Sequence, residues 1–82
     1  MTINDLRYHA YLVLRANYPS KMSAKDISKQ INILFDANTS RRKVHYALRD
    51  FARFNKHFAV YPSFFPRRIL YSIYPLPEPF TP

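Results

Sequence analysis

The side chains equipped for chemistry are concentrated in one stretch, Asn38-Thr-Ser-Arg-Arg-Lys-Val-His-Tyr-Ala-Leu-Arg-Asp-Phe-Ala-Arg-Phe54. Arg41, Arg42, His45, Tyr46, Arg49 and Arg53 supply positive charge and hydrogen-bond donors within two or three helical turns. Such a set is built to hold an anion rather than to make or break bonds. The same stretch carries Val44, Ala47, Leu48, Phe51 and Phe54 at three- and four-residue spacing, the apolar stripe of a 3.6-residue helix. Asn38, Thr39 and Ser40 precede it, and each has a side-chain oxygen able to cap an exposed N–H of the first turn. The pattern predicts a helix from about Ser40 to Phe54, with one face for a core and the other for something negative. A solvated basic face on an ordinary surface helix fits the same spacing.

Catalysis finds little support. The chain has no cysteine, so a thiolate nucleophile, a disulfide and a Cys-based zinc site are excluded. It has no glycine, so a Gly-rich phosphate loop is excluded as well. His9, His45 and His57 fall on different elements, and the five carboxylates do not converge on one segment. His9 has no second ligand three or four residues on, which argues against a metal role. No catalytic residue, metal or cofactor is expected.

Charge points the same way as the arginines. The formal net charge is +8 over 82 residues. Residues 1–40 hold five basic residues and three acids, whereas residues 41–82 hold eight and two. The excess therefore lies in the second half, mostly between Arg41 and Lys56, and a clustered excess attracts polyanions. Nucleic acid is the commonest such partner; an anionic membrane surface or an acidic protein would also satisfy it. No apolar run approaches the length that spans a membrane, and no basic-then-apolar leader opens the chain. A cytoplasmic location without membrane contact is expected. Seven Phe and seven Tyr exceed what a core this small needs, so some should be exposed at a partner or dimer surface.

The elements that must position the basic helix read as follows. Thr2 and Asn4 are caps for a first helix, with Leu6, His9, Ala10, Val13 and Leu14 on its period and an end near Asn17, because Pro19 disfavours helix at Tyr18. Tyr18 to Met22 reads as a turn and short extended link. Ser23 caps a second helix from Ala24 to about Ile33, with Asp26 where a capping box has its acid. Ala24, Ile27, Ile31 and Leu34 form its buried face, and Lys25, Lys29 and Gln30 point outward. Phe35 to Asn38 is the turn into the basic helix. Beyond Asn55, Phe58–Tyr61 and Arg67–Tyr74 read as two strands of a β-hairpin around a loop at Pro62–Pro66. Pro75 to Pro82, with proline at every second or third position, reads as an extended polyproline-like tail.

Helix, link, helix, turn, basic capped helix, hairpin is an order that resembles a winged helix-turn-helix DNA-binding domain over residues 3–74. The residues that carry the resemblance are Ser23-Ala-Lys-Asp-Ile-Ser-Lys-Gln-Ile31, the Asn38–Phe54 helix, and the hairpin with Arg67 and Arg68 on its returning strand. Ala24-Lys-Asp-Ile-Ser28 and the Ile33-Leu-Phe-Asp36 turn are also similar to the CaiF and GrlA-like enterobacterial activators. The fold class so implied is α+β: three helices, a two-stranded wing, and the tail at 75–82. That family often places a short strand at the link after its first helix. It inserts the third helix into the major groove with the N-terminal residues foremost.

The resemblance thus implies that Ser40, Arg41, Arg42 and His45 lie nearest the bases, with Tyr46 and Arg49 further along. Lys25, Lys29, Lys43, Arg53 and Arg67 or Arg68 would touch phosphates. A wing tip of Phe64-Phe65 between prolines departs from the glycine-containing tips common in the family. Double-stranded DNA and a homodimer are the partners implied, with the chain acting as a sequence-specific transcriptional regulator. The alternative is a small basic phage or plasmid protein that uses the same fold to bind or inhibit a host protein.

Overall fold

The structure is a computed structural model that describes residues 1–64 and 67–74, without the side chains of Ser63, Phe64 and Arg67. The expected tail at 75–82 and Phe65 lie outside the described residues.

Helix α1 spans Ile3–Ala16. Thr2 starts it with a full capping box: its Oγ1 accepts from the Asp5 N–H at 3.1 Å, and Asp5 Oδ2 accepts from the Thr2 N–H at 3.1 Å. The helix ends where the Asn17 side chain donates to the Val13 carbonyl at 2.8 Å. Leu6, Ala10, Val13 and Leu14 form its buried face. A two-residue strand β1, Met22–Ser23, leads straight into α2, Ala24–Phe35. Ser23 caps α2 by accepting from the Asp26 N–H at 3.3 Å.

Helix α2 runs two residues past the expected end at Ile33, and its final turn overshoots the core. Leu34, expected on the buried face, is exposed, as is Ile33. Asp36 closes the helix in the left-handed region at φ 49°. This is a position where glycine is usual and a short Asp or Asn side chain is the tolerated substitute. Asn32 then clamps the turn from both sides, donating to the Thr39 carbonyl at 3.0 Å and accepting from the Thr39 N–H at 2.8 Å.

Helix α3 spans Arg41–Leu48, capped by Ser40 on the Lys43 N–H at 3.3 Å. It is shorter than the single helix expected from Ser40 to Phe54. The chain turns at Arg49–Asp50 and resumes as one turn, α4, Phe51–Phe54. A partner distant in the chain sits at this end. In an uninterrupted helix the Ala47 carbonyl would accept from the N–H four residues on. Here it accepts from Arg7 Nε of α1, at 2.8 Å. Phe51 swings to lie under the Arg7 guanidinium at 4.2 Å and edge-on to Phe58 at 5.8 Å. Phe54, expected to continue the apolar stripe, is 88% exposed.

Strands β2, Phe58–Phe64, and β3, Arg67–Ile73, pair antiparallel from Phe58 opposite Ile73 to Phe64 opposite Arg67. The expected strand end at Tyr61 and loop from Pro62 are therefore corrected. Pro62 sits within β2, which it can do because β2 is an edge strand and a missing N–H costs least there. The expected two-stranded hairpin is also incomplete: β1 pairs with the other side of β3, giving a three-stranded antiparallel sheet in the order β1-β3-β2.

Tyr71, at the middle of β3 between Met22 and Val60, is fully buried beneath the helices. With Val13, Leu14, Ile27, Ile31, Val44 and Leu48 it makes the core. Because Leu48 is fully buried, Leu48→Ala is expected to lower unfolding free energy by about 2–5 kcal/mol, read by urea denaturation.

Asp5 gives a pH-dependent counterpart. The backbone and hydroxyl hydrogen bonds from Thr2 hold its carboxyl below the usual value. A depressed folded pKa contributes stability above the unfolded value, lost as pH falls through the folded one. Thermal melts of Asp5→Ala should therefore differ most from the native chain at neutral pH, with the gap narrowing below about pH 4.

Candidate functional site

The caps and the core together fix which way α3 faces. Val44, Ala47 and Leu48 are buried, so helical geometry turns Arg41, Arg42, Lys43, Tyr46 and Arg49 outward, and all of them are exposed. His45 is half-buried at the edge of that face.

The exposed face does not stand alone. It forms part of a concave surface of about 910 Å³. The start of α2 contributes Ser23, Ala24 and Lys25; α3 and its continuation contribute Arg41, Arg42, His45, Tyr46, Arg49 and Arg53; the β2–β3 pair contributes Pro62, Arg68 and Ile69. Short local interactions set several of these groups. The Arg42 guanidinium lies 5.9 Å from the centre of the Tyr46 ring, and the His45 ring meets Tyr46 edge-on at 6.4 Å.

Electrostatically the hollow is one-sided. Lys25 and five arginines line it, and no carboxylate of the described residues does. Among the described residues the only ion pair is Arg49 with Asp50, at 3.6 Å on an exposed edge. Exposed pairs of this kind neutralise little. Among the described residues Lys25, Arg41, Arg42, Arg53 and Arg68 thus converge with no acid to balance them. Converging cations in a concavity raise local potential more than the same charges on a convex surface. The arginine fork adds planar two-point hydrogen bonding to phosphate or to a base edge. The surface is suited to an extended polyanion.

The structure brings together Lys25, Arg41, Arg42, His45, Tyr46, Arg49, Arg53 and Arg68. Three other expected contact residues are not part of the hollow. Lys29 is exposed on α2 and Lys43 on α3, whereas Ser40 is engaged as the α3 cap. Arg67 belongs to β3, and its side chain is outside the described ones. Sequence reasoning passed over Ser23, Ala24, Pro62 and Ile69. Ser23 carried a signal as a helix cap; Pro62 and Ile69 reach the hollow only through the sheet register. Among the described residues no cluster of His, Asp or Glu is arranged to hold a metal ion, and no helix is long and apolar enough to cross a membrane.

Tyr71 lies in the sheet that backs this surface. Its hydroxyl is buried with no hydrogen-bond partner among the described residues. Burial pushes the phenol above its ordinary pKa, while the charges of Arg53 and Arg49 pull it the other way. An unpartnered buried hydroxyl carries a desolvation cost that its removal relieves. Tyr71→Phe is accordingly expected to leave stability unchanged or raise it by about 1 kcal/mol, measured by chemical denaturation. Comparisons with protein-family models, with curated proteins and with solved structures find no match to this chain.

Proposed function

We propose that the chain is a sequence-specific DNA-binding transcriptional regulator of the winged helix-turn-helix type, reading the major groove of double-stranded DNA with α3. The observation that carries this reading is the hollow around α3, lined, among the described residues, by Lys25 and five arginines and by no acid. The order α1, β1, α2, α3, α4, β2, β3 supports it, with β2–β3 as the wing.

On this reading the net charge of +8 steers the encounter, and phosphate contacts set the register before any base is read. Lys25 at the start of α2 and Arg68 on β3 flank α3 and suit phosphates on either side; Lys29, Lys43, Arg53 and Arg67 extend the same role. Arg41, Arg42 and His45, at the leading end of α3, suit base edges, where the arginine fork matches guanine O6 and N7. An eight-residue reading helix spans few base pairs, so a homodimer on a two-fold site, in the cytoplasm, completes the proposal.

A second reading is favoured by the exposed aromatics. Tyr46 on α3 and Phe54 on α4 are strongly exposed large rings near the arginines. A small basic phage or plasmid protein that occludes a host protein would present such rings to its partner.

Fluorescence anisotropy with random-sequence duplex DNA across a salt series separates the two. The DNA reading expects a log–log slope equivalent to about 4–6 neutralised phosphates. Arg41→Ala and Arg42→Ala should weaken binding with an unchanged melting temperature, whereas Val44→Asp should unfold the chain. Absence of binding at low salt, from protein folded by circular dichroism, would sink the DNA reading and favour the second.

A further inference from the structure

Apart from the basic hollow, and sharing no residue with it, a cleft of about 420 Å³ opens where α1 meets Phe51 and the start of β2. Its walls are rings: Tyr8, Tyr11, Phe51 and Phe58. The rings brace each other edge-on. Tyr11 meets Phe58 at 6.0 Å and His57 at 6.2 Å, and Phe51 meets Phe58 at 5.8 Å. Braced in this way they keep a slot open instead of collapsing into it. Tyr8 stands exposed at its mouth. Arg7 also lines the cleft. Its Nε is committed to the Ala47 carbonyl, and its terminal nitrogens have no acceptor among the described residues.

An aromatic slot with one cation beside it matches a specific kind of occupant. Proline-rich segments dock between aromatic rings because the polyproline helix is already extended and loses little entropy on binding. This chain carries such a segment, Pro75-Leu-Pro-Glu-Pro-Phe-Thr-Pro82. The Tyr74 N–H donates to the His57 carbonyl at 3.3 Å, and His57 lines the cleft. The last described residue, Tyr74, is therefore tied to the rim of the slot. Eight residues at about 3.1 Å each reach about 25 Å, ample for a cleft of this size. Glu78 is the only carboxylate side chain after Asp50, and its charge complements that of Arg7.

We propose that residues 75–82 dock in this cleft within the same molecule, with prolines against Tyr8 and Tyr11 and Glu78 facing Arg7. Tethering raises the effective concentration to the millimolar range, so weak intrinsic affinity suffices. The proposal is independent of the DNA reading and survives its failure.

The absence of cysteine makes the test direct. Thr81→Cys in ¹⁵N-labelled full-length chain carries a single nitroxide, and amide intensities are compared before and after its reduction. Amides of Tyr8, Tyr11 and Phe51 are expected to lose most of their intensity, while those of Ile33 and Leu34 keep theirs. Tyr8→Ala removes an exposed ring without touching the core and should restore part of the lost signal. Full intensity at the cleft would overturn the proposal. So would losses centred on Arg42 and Arg49, or losses unchanged by Tyr8→Ala. Losses seen only when labelled and spin-labelled copies are mixed would overturn docking within one molecule.

Discussion

A helix of eight residues does not hold itself together in water: nucleation is costly, and so few propagation steps leave it marginal. Helix α3 is that short, and it must bury one face while offering the other. Its stability is therefore borrowed. Ser40 satisfies an N–H at its start, the Asn32–Thr39 pair fixes the turn before it, and Arg7 takes a carbonyl at its end. Val44 and Leu48 then lock it against α1 and α2. The direction in which the arginines point follows from these supports, since nothing intrinsic to the arginines would order them.

Arg7 joins two regions that look unrelated. One of its bonds takes the Ala47 carbonyl at the end of α3, beside the junction from which Arg49 and, on α4, Arg53 line the basic hollow. Its stacking on Phe51 seats the first ring of the aromatic cleft. One part-buried guanidinium thus shapes the floor of one surface and the wall of another. The same economy has a cost. Cations gathered without acids repel one another in the free protein, and the hydrophobic core has to offset that repulsion.

What was legible in the sequence was local. Thr2, Ser23 and Ser40 announce helix starts because capping involves residues only three apart, and all three caps form. The apolar period places Val44, Ala47 and Leu48 correctly, and with them the outward arginines. What was not legible depended on partners far away in the chain. The Ala47 carbonyl at the end of α3 is taken by Arg7, 40 residues away. The strand at Met22–Ser23, at a link where the resembled family often has one, is two residues long and forms only by pairing with β3. Pro62 reads as a strand breaker until the sheet order places β2 at an edge. Phe54 fits the helical period, but the helix that would have buried it has already stopped. The α3 side of the basic hollow was readable from charge and spacing, Lys25 and Arg68 were expected only through the resemblance, and Pro62 and Ile69 enter it through a register that no local pattern encodes.

The turn at Asp36 bears on a state other than the folded one. A left-handed residue closes α2 without glycine, and the whole chain contains none. Glycine gives an unfolded chain more backbone freedom than any other residue, and proline gives it less. A chain with no glycine and seven prolines has a comparatively restricted denatured ensemble, so it surrenders less disorder per residue on folding. For a small domain with a modest core and an unneutralised surface, part of the stability resides in what the unfolded polypeptide is unable to do.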